Sequence, residues 1–489
     1  MTDVLKDYNV LGMYDLADIT FSPDRIYQIL DQHCKDAFLP HERIVFYSQF
    51  EPSVELLKHI LDAALLIDID PLFVLICCSV DIQSKIDDVC QGFNPFSFVL
   101  SELQSATLEN SFTLPDTLCP IPWTTMEVRE NGDIFPCCMC DQSASVGSIN
   151  DGLQETFKNN KMDQLRQEFL IGNKPTGCSS CWSREEQGLV TNRIRHRNYL
   201  LKDLLIRGLD IPTIKQLDLK FGKTCNFKCR ICSPGSSSLF AEENAKFKKI
   251  NFVIEKNWSK DTGHLSKIIE LLPNLDNIDM YGGEPFLLKD FAKVLEIAID
   301  QGYAKDIRLH YNTNGSIYPK ELIKYWPSFR EVDIHFSIDV LGPKFALERG
   351  NTWEEVESNI LKIKNLNLPN LKLAVMPAVS IMNIYYLDEV LDWANGHNFT
   401  INPQHVITPS AFSLSQLTRE AKDLIIEKFK NHPWPEMKKI LETIQQTPDS
   451  DGVEFVKKTQ HFDKLRNENF SETHPEIAKA MGYVYNQQL

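Results

Sequence analysis

KTCNFKCRICSPG, Lys223 to Gly235, places Cys225, Cys229 and Cys232 within eight residues, in the spacing C-x3-C-x2-C. In a reducing compartment, thiols this dense bind metal rather than form disulfides. A zinc site built by protein alone takes four ligands, and no cysteine follows Cys232, so this loop does not close a zinc centre by itself. A cubane iron–sulfur cluster held by three thiolates leaves one iron open to a small molecule.

A second set lies upstream in CPIPWTTMEVRENGDIFPCCMC and GCSSC. Cys119-x12-Gly132-x4-Cys137 followed by Cys178-x2-Cys181 supplies four thiolates, enough to saturate one centre. Structural zinc and an iron–sulfur cluster both suit such a set, and the spacing does not choose between them. All 13 cysteines precede residue 233, a skew that points to chemistry concentrated in the first half. Cys34, Cys77, Cys78 and Cys90 read as buried thiols, Cys77 and Cys78 within an apolar strand.

Elements that could position these residues follow from periodicity. Residues 1–100 read as an α/β unit, with strands at Arg43–Ser48 and in LFVLICCSV and a helix in VELLKHILDAALL. Residues 101–205 carry turn signals, clustered cysteines and a single clear amphipathic helix, the pattern of a small metal-organised module. From 206 to 410 strands and helices alternate. QLDLKF, NIDMY, IRLHYN, VDIHFS, LKLAVMPAV and FTINPQHV are the strands, predicting a parallel, right-handed (β/α)6 partial barrel. Chemistry in such a fold belongs at the C-terminal strand ends, and the three-cysteine loop directly follows the first strand. Residues 411–489 read as covering helices.

The net charge of −16 argues against nucleic acid as an electrostatically steered partner. No apolar run approaches the ~20 residues of a membrane span. The first residues lack the basic and apolar regions of a signal peptide, so the expected location is cytoplasmic, with no membrane association.

The loop resembles the radical S-adenosylmethionine (SAM) superfamily, whose signature is C-x3-C-x-Φ-C, with Ile231 here as Φ. Later strand ends carry further resemblances. GGEP, Gly282, Gly283, Glu284 and Pro285, looks like the glycine-rich motif that receives the SAM amino group, with Glu284 as an acceptor for the ammonium. YNTNG is similar to the polar strand end near the cofactor, with Asn312 and Asn314. FSID resembles the ribose-contacting segment, with Ser337 and Asp339, although Val340 replaces the family's glycine and puts close approach in doubt. LERGNTWEEVESNI is similar to a region whose arginine, here Arg349, pairs with the SAM carboxylate.

The resemblance implies a SAM-binding [4Fe–4S] cluster on Cys225, Cys229 and Cys232, and a 5′-deoxyadenosyl radical that abstracts a substrate hydrogen. C-x(9–15)-G-x4-C resembles the opening of the SPASM auxiliary-cluster module and its shortened twitch form. That implies an auxiliary [4Fe–4S] cluster on Cys119, Cys137, Cys178 and Cys181, with zinc as the alternative. Cys138 and Cys140 are then left as buried thiols, substitute ligands or hydrogen-atom donors. In most relatives the module follows the barrel; here it precedes it. That order resembles twitch-domain radical SAM proteins, which share Pro122-Trp123, Glu185, Gly188 and the Asp463–Phe470 motif DKLRNENF. The match covers roughly 115–475.

Relatives with auxiliary clusters often modify peptides, so a peptide or protein substrate is expected. The first hundred residues, though, do not read as the usual peptide-recognition domain. Radical chemistry on a small metabolite or nucleotide-sugar is the alternative, and a zinc-organised binding protein without activity is a third reading. A one-electron reductant such as flavodoxin or ferredoxin is implied.

Overall fold

The computed structural model describes residues 115–186, 190–197, 212–251, 258–289 and 291–485, with strand segments at 9–15, 42–47, 74–78 and 97–99. The expected helix in VELLKHILDAALL, Cys34, Cys90 and Gly188 lie outside the described residues, as do the side chains of Cys77 and Cys78. The N-terminal strands β1 (Asn9–Asp15), β2 (Glu42–Tyr47), β3 (Val74–Cys78) and β4 (Ser97–Val99) pair in parallel, in sequence order. Both strands expected there, around Arg43–Ser48 and in LFVLICCSV, are present.

The chain divides into two compact units. One comprises Met1–Thr124, Met139–Ala144 and Asn160–Thr213; the other comprises Thr125–Cys138, Ser145–Asn159 and Ile214–Leu489. The expected cysteine-rich module, 101–205, is therefore shared between them. The physical reason is strand pairing inside the second unit. β5 (Thr125–Val128) adds in parallel to the first barrel strand, and β6 (Asp133–Phe135) and β7 (Gly147–Ser148) extend that edge antiparallel.

The barrel sheet continues through β8 (Gln216–Lys220), β9 (Asn277–Tyr281), β10 (Arg308–Thr313), β11 (Glu331–Phe336) and β12 (Leu371–Val375), then past the short β13 (Ala378–Val379) to β14 (Thr400–Ile401). β8, β9, β10, β11, β12 and β14 are neighbours in that order, every pair parallel. This is the expected six-strand arrangement. β13 pairs separately with β15 (Gln404–His405).

Alternation divides the sheet's faces. Leu217, Leu219, Ile278, Met280, Leu309, Tyr311, Val332, Ile334 and Phe336 are buried on one face, the apolar side that helices cover in this architecture. The other face is polar. Registered pairs place Glu127, Asp218, Asp279, His310, Asp333 and Lys372 in one row across six strands. A closed barrel fills its interior with branched apolar side chains; this sheet lines its inner wall with titratable ones instead.

The C-terminal region is helical, as expected, with helices at Arg419–Phe429, Pro435–Gln446, Val453–Arg466 and Pro475–Ala480. Among the described residues, no helix is long and apolar enough to cross a membrane.

Candidate active site

β8 delivers the chain to the cysteine loop, and helix Ser238–Lys248 receives it, capped by Ser237, whose side chain accepts from the Phe240 amide at 3.2 Å. Within the loop the Cys225 amide donates to Ser238 Oγ at 3.1 Å, and the Phe227 amide donates to Cys225 Sγ at 3.4 Å. The Cys229 thiol reaches the Arg349 carbonyl at 3.7 Å. Burial pushes the Cys225 thiol up to about 11 and Cys232 to about 12, and raises Cys229 as well. Cys229 and Cys225 both act electrostatically on Cys232, so the three sulfurs share one field.

GGEP lies directly against this loop. The Glu284 amide donates to the Thr224 carbonyl at 2.8 Å. A Cβ on Gly283, whose φ is +60°, would meet that same oxygen at 2.2 Å. Glycine is required here so that one backbone can approach another. The Glu284 carboxylate is buried and accepts from the Phe286 amide (3.0 Å), the Thr313 hydroxyl (2.7 Å) and the Asn314 amide (2.8 Å). Burial pushes it up to about 7, against the pull of those three donors. Its visible work is to staple the end of β9 to the end of β10 and to cap the turn at Pro285.

Asn314 donates to Asn226 Oδ1 at 3.0 Å and points Nδ2 at Cys225 Sγ, 4.0 Å away. Asn312 Oδ1 is buried with no hydrogen-bond partner. The Ser337 amide donates to the Thr313 carbonyl at 2.9 Å, while Ile231 is half-buried. Val340 is fully buried.

Arg349 and Asp339, expected on the carboxylate and the ribose of SAM, bond each other. Arg349 Nε and Nη2 lie 2.8 and 2.6 Å from Asp339 Oδ2, and the Ala378 amide donates to Oδ1 at 2.7 Å. Burial opposes the Arg349 charge, but Asp339 and the Cys229 sulfur more than offset it, and its pKa is raised. Asp339 thus holds a fixed guanidinium beside the cysteine loop.

The loop is also held from the C-terminal helices. Arg230, between two of the cysteines, is fully buried. It pairs with Asp463 and, at 2.6 Å, with Glu468. Asp463 also accepts from the Phe470 amide at 2.7 Å. The DKLRNENF motif, matched in the sequence without a role, is this clamp. A buried pair this distant in sequence has no local signal; the motif itself was the only available one.

Sequence reasoning also missed the group at the ends of β5, β8 and β9. Glu127, fully buried, accepts from Tyr281 (3.0 Å), Lys220 (3.0 Å) and Arg129 (2.9 Å). Cys138 lies within this field: its neighbour Cys137, burial and Glu127 all raise its thiol well above the ordinary range. Burial and the Asp279 carboxylate likewise raise Asp218.

The other compact unit holds Cys119, Cys140, Cys178 and Cys181, while Cys137 falls in the barrel unit. No disulfide joins any of these five. Burial pushes Cys119 up to about 12, with the Cys181 sulfur adding to it. Glu185 grips Arg193 Nε at 3.0 Å, and Arg193 Nη1 donates to the Asp116 and Leu118 carbonyls at 2.6 and 3.2 Å. Glu185, four residues beyond Cys181, thereby ties that cysteine's helix to the residue before Cys119. The Asp141 amide donates to the Gly177 carbonyl at 3.0 Å, and the Ser179 hydroxyl donates to Asp141 at 2.6 Å. Those bonds join the residue after Cys140 to the two that flank Cys178.

Among the described residues, the one trio of His, Cys, Asp or Glu with ligand atoms within 4.8 Å of one another contains no cysteine. At least one sulfur pair of the loop therefore stands more than 4.8 Å apart, wider than the ~3.8 Å edge of a zinc–thiolate tetrahedron.

A family model described as the radical SAM superfamily matches residues 219–394, which contain all three cysteines of the loop. Those residues are thus similar to a radical SAM domain. An iron–sulfur cluster-binding domain model, SPASM, matches residues 119–182. The radical SAM domain's cofactors are a [4Fe–4S] cluster and SAM, and the SPASM segment adds an auxiliary iron–sulfur centre, so the zinc reading of the upstream set gives way.

The chain is 27% identical over 146 residues to an S-adenosylmethionine-dependent nucleotide dehydratase of Selenomonas ruminantium, covering 29% of this chain and 46% of that protein. It is 27% identical over 183 residues to a GTP 3′,8-cyclase of Haemophilus ducreyi, covering 36% and 48%. The chain spans about half the length of these curated relatives. Among solved structures, native anSMEcpe with bound AdoMet and Cp18Cys peptide aligns over 47% of this chain and 62% of that one, at 16% identity and a TM-score of 0.34.

Proposed function

We propose that this protein reductively cleaves SAM and uses the resulting radical to abstract a hydrogen from a peptide or protein. The observation carrying the first half is the cysteine loop stitched to GGEP through Thr224 and Glu284. When bound, the cluster and SAM supply a 5′-deoxyadenosyl radical. The chain's own residues do the rest. Cys225, Cys229 and Cys232 hold the cluster, Arg349 offers a fixed cation for a carboxylate, and the strand ends position the ligand and limit water. A flavodoxin- or ferredoxin-class donor supplies the electron.

The peptide half rests on the auxiliary-cluster segment, by analogy with relatives that carry one. A nucleotide substrate is the second reading, favoured by the names of both curated relatives. The test is anaerobic. Reduced protein with SAM should form 5′-deoxyadenosine, and Cys225→Ala/Cys229→Ala/Cys232→Ala should abolish it while the auxiliary iron stays. Unchanged 5′-deoxyadenosine from that variant would sink the assignment. Small peptides encoded beside the gene, and separately nucleoside triphosphates, are then offered with deuterium label. Label appearing in 5′-deoxyadenosine from nucleotides alone would overturn the peptide reading.

A further inference from the structure

The inner wall holds a constellation that the cluster chemistry does not use. His310 on β10 places Nδ1 3.0 Å from Asp333 Oδ2, and His335 on β11 places Nε2 3.3 Å from the same oxygen. One ligand atom from each of the three residues lies within 4.8 Å of the others. The two imidazoles meet edge to face, 4.4 Å apart at 88°.

Hydrogen bonding alone accounts poorly for this arrangement. A carboxylate oxygen has two lone pairs, and Arg308 Nη2 already bonds Asp333 Oδ2. One lone pair is left for two imidazole N–H groups. If the imidazoles instead present lone pairs to a cation, the conflict disappears, because each ring then turns its N–H outward. Ligands bonded at about 2.0–2.2 Å to one first-row ion stand roughly 2.9–3.5 Å apart, the range of both measured separations.

Two neighbours support a cation here. The Arg308 charge is offset from more than one side: its Nε bonds Glu331 at 3.0 Å, a carboxylate that Lys372 shares, and the Asp279 carboxylate acts on it as well. Asn312 follows His310 by two residues on the same face of β10, in register with His335, and its buried Oδ1 has no partner. An unmet buried acceptor costs about 1–3 kcal/mol, and a water bound to the ion would donate to it. The ligands sit on two paired strands, where backbone hydrogen bonding fixes their spacing before any ion arrives.

We propose that His310, Asp333 and His335 form a third metal site, for a divalent first-row cation of the zinc class, in the barrel wall and apart from both cysteine sets. Two imidazoles and one carboxylate leave positions open, so the ion orients a polar group of whatever enters the lumen. The site does not depend on the radical reading, and its test does not read activity.

Protein with both clusters loaded is equilibrated with Zn2+, desalted, and assayed for zinc, iron and sulfide. Wild type should retain one zinc per chain. His310→Gln and His335→Gln should each retain none, with iron and sulfide unchanged, since losing a direct ligand exceeds the roughly 10–100-fold cost of losing an outer partner. Asp333→Asn guards against misfolding of either histidine variant. X-ray absorption at the zinc edge should show nitrogen and oxygen neighbours. Zinc retained equally by the variants, no zinc in wild type, or sulfur neighbours would each overturn the site.

Discussion

The two cysteine sets are held in different ways. The loop at Cys225–Cys232 sits among elements that stand without it: β8 before it, a capped helix after it, the GGEP backbone against Thr224 and the Arg230–Asp463 pair from the C-terminal helices. The set around Cys119, Cys178 and Cys181 lies on short helices beside one of eleven residues, Asn160–Leu170, with a small buried group of Leu118, Trp123, Met162, Phe169 and Trp182 and polar contacts centred on Glu185, Arg193 and Asp141. The loop has a packed sheet behind it, whereas the smaller unit has a much smaller apolar group and is expected to lean more on its own centre. A metal-organised segment draws its folding free energy from the metal, whereas a site on a packed sheet does not.

Stripping iron should separate the two regions most strongly. Chelation under reducing conditions should abolish amide-exchange protection across 119–124 and 160–186 and leave β8 to β12 protected. Comparable loss in both regions would mean that the barrel also relies on its cluster.

The second effect concerns which cysteine completes the auxiliary centre. The G-x4-C interval favours Cys137. Cys140, however, shares a compact unit with Cys119, Cys178 and Cys181, and Asp141 beside it is bonded to Gly177 and Ser179. Cys140→Ala should therefore lose the auxiliary cluster, about four irons per chain, while Cys137→Ala keeps them. The reverse outcome would restore the sequence-based assignment.

How far the sequence carried depends on range. β8 to β12 and β14 were legible because each is a short apolar or alternating run between turns, and the loop was legible because three cysteines fall within eight residues. The polar inner wall was implicit in the same alternation, in the His of IRLHYN and the Asp and His of VDIHFS, but only register shows that they face one another. The addition of β5 to β8 was not legible, since it joins segments about ninety residues apart, and residues 125–148 read alone are a turn-rich cysteine segment. Nor did Glu284 betray that the backbone and Thr313 claim its carboxylate.

On the barrel side the loop's hold on the C-terminal helices runs through Arg230. Arg230→Gln leaves Asp463, which is buried, without its counter-ion. Breaking a buried pair from one side costs roughly 3–5 kcal/mol. Denaturant unfolding should show that loss, and the cysteine loop should gain amide exchange while residues 160–186 do not. If exchange rises in both places, the clamp is not specific to the barrel cluster.

The smallest effect is a slope. His474 Nε2 lies 3.0 Å from Glu348 Oε1, both fully buried beside Arg349 and the loop. Burial, with Lys344 and Arg230 adding to it, lowers His474 from 6.5 to about 3, and burial raises Glu348 from 4.5 to about 7. The histidine term is stability present above 6.5 and lost as pH falls toward 3, because the unfolded chain binds the proton more readily. The glutamate term has the opposite sign: stability present below 4.5 is lost as pH rises toward 7. Between 4.5 and 6.5 the two slopes cancel. Glu348→Gln removes the second while its amide oxygen still accepts from His474, so the variant should lose up to ~1.4 kcal/mol per pH unit on acidification relative to wild type. Denaturant midpoints at pH 4.5, 5.5 and 6.5 measure it. Parallel profiles for the two proteins would mean that His474 carries its proton in the folded state, and that the pair holding the Arg349 end of the loop is an ion pair rather than a neutral hydrogen bond.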